Sequence, residues 1–260
     1  MIKKLVLLSL LTTASGVVMA QDNALQAYGL SFSGAATLAS DYRFRGQSQT
    51  ENDPALQGTF TLAHSSGLYF NVFASSVDLP VSEGKSAHLE LDPIIGFTTP
   101  ITLGQIKPTL DVGVAYYNYP SASDLNYPEF YAKLTFADSI IKGDLLTPSV
   151  AYTYKYGGNT TSEIAGDDAT NWTVNLAYSA PFADTGFGGV ASVGYSKSNK
   201  DIYGVKDNFV DWKAGVTYSF KAVSGLTAEL DAVGSTIDGY TGAANRAVDA
   251  GAMFSLTKSF

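Results

Sequence analysis

The 260-residue chain contains no cysteine, so its fold is held without disulfides and thiolate metal sites are excluded. With only two histidines besides, no transition-metal centre and no cofactor is expected. Beyond residue 20 no stretch approaches the roughly 20 apolar residues that a membrane helix requires. Charge is sparse, at 15% of residues, and leans acidic: 16 Lys and Arg against 24 Asp and Glu give −8 at pH 7. A chain of that sign repels phosphate backbones, so no nucleic-acid partner is expected. Beyond residue 30 a helical period is missing as well.

What is present begins with an export signature. Met1 to Ala20 join Lys3 and Lys4 to the apolar run LVLLSLL and end in Val18-Met19-Ala20, a small-residue cleavage pattern. Thr12, Thr13, Ser15 and Gly16 interrupt the run before it reaches membrane-helix length. A cleaved signal peptide over residues 1–20 and one exported domain over 21–260 are expected. Low charge, 25 glycines and 16 tyrosines fit an exported β protein.

Twelve runs alternate in character, near 31–45, 54–64, 67–78, 87–99, 105–118, 127–137, 145–156, 170–181, 187–197, 208–220, 225–234 and 246–260. Short turns follow the even runs. Longer polar segments, such as QSQTENDP and GGNTTSEIAGDDA, follow the odd ones; DLPVSEGKSA, after the third, is only moderately long. That rhythm is what an up-and-down antiparallel barrel across a membrane requires, with both termini on the short-turn, periplasmic side. Within runs, charges share a parity: Asp41 with Arg43 and Arg45, Glu90 with Asp92, Lys107 with Asp111, Glu129 with Lys133, Asp211 with Lys213, Glu229 with Asp231. A secreted β-sandwich also alternates, but its inner faces carry large aliphatics, whereas faces such as Gly34-Ala36-Leu38 are modest here. Aromatics gather instead at the run ends. Tyr42, Tyr116, Phe130, Tyr154, Trp172, Tyr195 and Trp212 are expected toward the long loops, and Phe97, Phe136, Tyr178, Tyr218, Phe220 and Phe260 toward the short turns, as two girdles.

Residues 33 to 78 carry Ser40-Asp41-Tyr42-Arg43-Phe44-Arg45-Gly46, then Asp53-Pro54-Ala55-Leu56-Gln57-Gly58, then Ser66-Gly67-Leu68-Tyr69. This stretch resembles the start of the TorF-type family of outer-membrane porins. The resemblance implies an outer-membrane barrel and a transport role, and the terminal Phe260 is of the kind that bacterial barrels commonly end on. Lys258 departs from the hydrophobic residue usual at that place in the terminal strand.

Twelve strands about 4.8 Å apart and tilted about 40° make a cylinder roughly 24 Å across, of which side chains leave about 10 Å or less. The expected function is passive diffusion of small hydrophilic solutes across the bacterial outer membrane. Its partners are the surrounding outer-membrane lipid, the solute, and the barrel-assembly machinery, which would engage the strand ending in Phe260. The expected pore lining is Asp41, Arg43, Arg45, His88, Glu90, Asp92, Lys107, Asp111, Glu129, Lys133, Lys155, Asp211, Lys213, Glu229, Asp231 and Asp249, in which acids outnumber bases. Arg43 and Arg45 admit two roles, a latch on carboxylates at the seam, Asp249 among them, or a basic patch that draws anions. The alternative function is a barrel plugged by ion pairs, structural or adhesive through its long loops.

An outer-membrane lipid hydrolase needs a serine–histidine pair at the outer leaflet. His64 lies by a short turn and His88 shares the inward parity of Glu90, so no enzyme is expected. Gly186-Phe187-Gly188-Gly189-Val190-Ala191 has dinucleotide-loop spacing but no following helix, and reads as turn and strand. Glu163, Asp167 and Asp168 read as a solvated acidic loop rather than a cation site.

Overall fold

A computed structural model describes residues 23–81 and 85–260; the expected signal segment lies outside the described residues. In chain order the strands are β1 (Leu30–Ala39), β2 (Arg43–Phe44), β3 (Gln47–Ser48), β4 (Ala55–His64), β5 (Leu68–Val81), β6 (Lys85–Pro100), β7 (Thr109–Tyr117), β8 (Tyr127–Ala137), β9 (Leu145–Thr153), β10 (Asn171–Pro181), β11 (Phe187–Ser198), β12 (Asn208–Ser219), β13 (Leu226–Ser235) and β14 (Gly251–Ser259). All but β2 and β3 close into one twelve-stranded antiparallel barrel. At the seam β1 pairs with β14 from Ala35↔Ser259 to Ala39↔Ser255. Gly34 and Phe260 then exchange two main-chain hydrogen bonds of 2.9 and 3.0 Å, which leaves the sheet without an edge there.

Alternation places the two halves of each strand in opposite surroundings, and burial is inverted relative to a water-soluble protein. On β1 and β4 the outward Leu38 and Leu56 are 60% and 62% exposed, while the inward Thr37 is 3% exposed. Ile95, Val174, Leu176, Val216, Leu230 and Phe254 continue this exposed apolar band around the wall. Aromatics border it on both sides: Tyr116, Phe130, Trp172 and Tyr195 toward the long loops, and Phe32, Phe60, Phe187 and Phe260 toward the short turns. No helix among the described residues is long and apolar enough to cross a membrane, which says nothing of the strands.

All twelve expected runs are strands, but several of their ends are not. The first stops at Ala39, and β7 starts at Thr109, leaving Lys107 in the preceding turn. β9 stops at Thr153, with Lys155 in the loop, and the last run opens as helix α3 (Ala243–Val248), with Asp249 at its C-terminal end. Conversely, the segment expected as a loop after the third run is mostly strand: β5 and β6 extend past the wall beyond a register shift between Ser76 and Leu79. Two further helices, α1 (Asn23–Ala27) and α2 (Gly158–Ala165), are, like α3, too short to show a helical period in sequence.

Two apolar clusters cap the long-loop end. One joins Val77 and Ala87 of the β5–β6 extension to Tyr119 and Ala122, with Tyr42 packed against it. The other gathers Tyr203, Phe209, Ile237 and Val248, with Tyr156 and Tyr240 alongside. Tyr42, expected in the outer girdle, is therefore an inner residue, because the chain turns inward after Ala39.

Candidate functional site

The site begins where β1 ends. Ser40 still bonds to Phe254 on β14, and the chain then folds back as the β2–β3 hairpin, with Arg43 opposite Ser48 and Phe44 opposite Gln47. Its turn, Arg45-Gly46, has φ of 50° and 75°, the two positive values that a tight two-residue hairpin turn demands. Glycine at 46 is also required by space, since a Cβ would stand 2.5 Å from the Gly234 carbonyl on β13. Asp41 holds the base of the hairpin: its carboxylate accepts from Ser48 Oγ at 2.6 Å, Thr50 Oγ1 at 3.0 Å and Arg43 Nε.

The hairpin crosses the lumen. Arg45 donates twice through Nη2 to Glu129 on β8, at 2.7 and 2.9 Å, while Gly46 beside it touches β13; four strands of the wall separate the two. Arg43 Nη1 donates to the carbonyls of Gly46, Ala247 and Asp249 at 3.1, 3.1 and 3.0 Å, and Nη2 to Asn52 Oδ1 at 2.5 Å. Arg43 is thereby engaged through Nε, Nη1 and Nη2, whereas the buried Nη1 of Arg45 has no hydrogen-bond partner among the described residues. The Asp249 carboxylate, expected to meet them, accepts from Asn245 instead, and its backbone takes the contact. Phe44 starts an arc of rings, Phe44, Tyr117, Tyr127, Tyr156, Tyr203 and Phe209, with successive centroids 4.5 to 5.8 Å apart. Those tyrosines are site residues that the parity reading missed. The signal for them was adjacency: Tyr116 and Tyr117 alternate, so only one can face outward.

Between hairpin and wall lies a cavity of about 430 Å³. Of the expected lining residues, Asp41, Arg43, Arg45, Asp92, Asp111, Glu129, Lys133, Asp211, Lys213 and Glu229 border it, the first three from the hairpin and its base rather than from a strand of the barrel wall. Glu90 and Asp231 are buried in the wall beside it. The other four are elsewhere. His88 is exposed at the register shift between β5 and β6, and Lys107 is exposed in a short turn. Lys155 stands 3.8 Å from Asp168 in the loop holding α2, and Asp249 is exposed next to α3. In each case the regular strand stops short of the residue: β7 and β14 begin after Lys107 and Asp249, β9 ends before Lys155, and the β5–β6 register shifts at His88.

Charges in the cavity pair along the walls. Lys133 lies 3.8 Å from Asp111 and over the Tyr131 ring at 4.4 Å, and Tyr69 donates to Asp111 at 2.7 Å. Lys213 lies 2.7 Å from Glu229. From β9 to β11 the inner face is small and uncharged, with Ser149, Thr173, Asn175 and Ser192 at the cavity. On β1, β4 and β5 it carries Thr37, Gln57, Thr59, Thr61 and Asn71. Such a surface hydrogen-bonds water and hydrophilic solutes.

Features for other chemistries do not assemble. Among the described residues no group of three or more acidic, histidine or cysteine side chains is placed to hold a metal. Asp167 and Asp168 are answered by Lys200 and Lys155 at 3.7 and 3.8 Å. The His64 Nδ1 contact to Ser66 Oγ at 2.8 Å spans two residues within a short turn and is part of that turn's local bonding.

The family model described as "Bacterial protein of unknown function (Gcw_chp)" matches residues 23–260. No curated protein matches the sequence. Among solved structures, the NanC porin is 9% identical and aligns over 87% of this chain and 98% of its own, with a TM-score of 0.54. OccK5 (OpdH) of Pseudomonas aeruginosa is 13% identical over 89% of this chain and 67% of its own, at 0.44. LpxR from Salmonella typhimurium is 12% identical over 88% and 99%, at 0.44. At these identities the likeness is one of fold.

Proposed function

The chain belongs to the Gcw_chp family of bacterial proteins, and from the form of its lumen we propose that it is an outer-membrane porin for small hydrophilic solutes. The observation that carries this is the pairing of an exposed apolar band, bordered by aromatics, with an inner face of hydroxyls, amides and charges around a cavity. An apolar exterior over a polar interior is stable in lipid and not in water, and a hydrated lumen is what such an interior supplies. In this reading residues 1–20 are a cleaved signal peptide and both termini are periplasmic, as the Gly34–Phe260 closure lies on the short-turn rim. The barrel-assembly machinery engages the strand that ends in Phe260. The resemblance of residues 33–78 to TorF-type porins supports the same role, and no catalytic activity is assigned.

The crossing hairpin favours a second reading, a barrel plugged at rest whose long loops do the work. Single-channel recording of the folded chain in a planar bilayer separates the two. Discrete conductance steps at low voltage are expected of the porin. A silent bilayer containing correctly inserted, heat-modifiable protein would establish the plug.

A further inference from the structure

Every base that borders the cavity already has a carboxylate of its own, two on the hairpin and two on the walls. Beyond those four pairs the inner face carries Glu90 and Asp92 on β6, Asp211 on β12, and Asp231 on β13, the last sharing Lys213 with Glu229. Their partners among the described residues are few. Glu90 accepts the Tyr119 hydroxyl at 2.8 Å and is approached by the Tyr42 hydroxyl as well. Asp92 accepts the Asn118 N–H at 2.9 Å. Asp211 is 6% exposed and borders the cavity, yet its Oδ2 is without a hydrogen-bond partner. Both oxygens of Asp231 are without one, on a side chain of 0% exposure, and Lys213 stands 3.8 Å away while it bonds Glu229 more closely.

The wall is shaped to admit these groups. Gly194 on β11 faces Asp211 and Gly215 on β12 faces Asp231, and a methyl on either glycine would overlap the neighbouring carboxylate. Buried oxygens without a donor are costly, and the cost is removed when a cation takes the place of the missing partner. Each base at the cavity is matched by a carboxylate, so further acids in ionised form weight the potential of the lumen toward negative.

Building on the porin reading, we propose that the lumen draws cations: a small hydrophilic solute bearing positive charge is attracted by Asp92 and Asp211, which border the cavity from opposite walls, with Glu90 and Asp231 supplying negative charge beside them. Alkali ions and organic ammonium groups share this chemistry, and the assay distinguishes them. Folded full-length mature protein is placed in a planar bilayer across a potassium chloride gradient. The zero-current potential is expected to report potassium over chloride by roughly fivefold, falling to about twofold or less in D92N/D211N. Spermidine added to one side is expected to block the potassium current; a current unaffected by spermidine but still cation-selective restricts the site to inorganic ions. Open channels with no preference, or with a chloride preference, would overturn the inference and leave the porin standing. So would a heat-modifiable double variant with unchanged selectivity, since the carboxylates would then be neutral. If the bilayer stays silent, the porin reading fails separately, and isothermal titration of detergent-folded protein with spermidine decides the site: binding weakened tenfold or more in D211N alone supports it, and no binding to the unsubstituted protein refutes it.

Discussion

At the short-turn rim each connection returns within eight residues to the adjacent strand, and its polar groups are met locally. Asp144 is the clearest case. Its carboxylate accepts the N–H groups of Ser139, Ile140 and Ile141 at 2.6, 2.8 and 2.9 Å and the Tyr178 hydroxyl at 2.9 Å. At the long-loop rim the contacts reach far along the chain: Arg43 to Ala247 and Asp249, and Arg45 to Glu129. One end is a set of short turns joined to their neighbours by single contacts, such as Lys221 to the Asp184 carbonyl, and the other is a single assembly over the mouth. The contacts across the mouth therefore couple segments far apart in the chain, whereas those of the short turns join neighbours in the barrel.

The largest effect is expected where that assembly hangs on one ion pair. In Arg45→Gln the buried Glu129 loses its bidentate partner, a change that costs about 3–5 kcal/mol when a buried pair is broken. The Tyr117 hydroxyl, 3.1 Å from Glu129, remains as its hydrogen-bond donor among the described residues. The hairpin should undock, and single-channel conductance should rise while heat-modifiability is kept. Unchanged conductance would mean that the rings alone hold the mouth, and the contrast between the rims would lose its basis.

Removal of Phe260 tests the other end. It deletes two main-chain hydrogen bonds to Gly34, worth about 1 kcal/mol each, and the ring 6.1 Å from Phe60. The expected result is slower assembly, seen as protease-sensitive protein short of the membrane, with conductance of the assembled fraction unaltered. Normal assembly of the truncated chain would show that closure does not depend on this last pairing.

How much of this was legible in sequence follows from the same contrast. Alternation such as Val210 to Phe220 fixes the face of each residue locally, so all twelve strands and the inward set on β6, β7, β8, β12 and β13 could be read directly. The β2–β3 hairpin could not. Arg43 and Arg45 keep strand parity with Asp41, and what turns them inward is a pair of positive φ values at Arg45-Gly46 and partners 84 and 204 residues away. RG is a weaker turn signal than NG or DG, and contacts at that range leave no local period. The exposed His88 was misplaced for a related reason: a register shift on β5, opposite it, is set by packing against Tyr119 and Ala122.

A third effect, smaller and pH-dependent, is expected at Asp144. Burial acts to raise its pKa, but hydrogen bonds from the Ile141, Ile140 and Ser139 backbones and the Tyr178 hydroxyl outweigh this and bring it down to about 2. A depressed carboxylate contributes stability above its unfolded value of about 4, and that contribution is lost as pH falls from there through about 2. Asp144→Asn should therefore be less stable than the parent at pH 7, with the gap closing between about pH 4 and pH 2. Thermal unfolding in detergent across that range is the measurement, and a gap that persists to pH 2 would assign the loss to packing instead.

The smallest effect is expected from the same residue type at the opposite rim. Asp167 and Asp168 are 75% and 52% exposed, and their lysines stand 3.7 and 3.8 Å away, beyond hydrogen-bond reach. Water screens such pairs and two long side chains must be ordered to form them, so each is worth about 0–1 kcal/mol. Asp167→Asn with Asp168→Asn should shift the unfolding midpoint by less than Asp144→Asn alone, although it removes two charges instead of one. The shift should also vanish in 1 M salt, where the screening length is about 3 Å. Calcium sharpens the comparison further: if the loop of α2 is only a solvated acidic surface, millimolar calcium leaves the midpoint of the parent and the double variant equally unmoved. A rise confined to the parent would make that loop a cation site in its own right, and the long-loop rim would then contain one element that folds by local rules like those of the short turns.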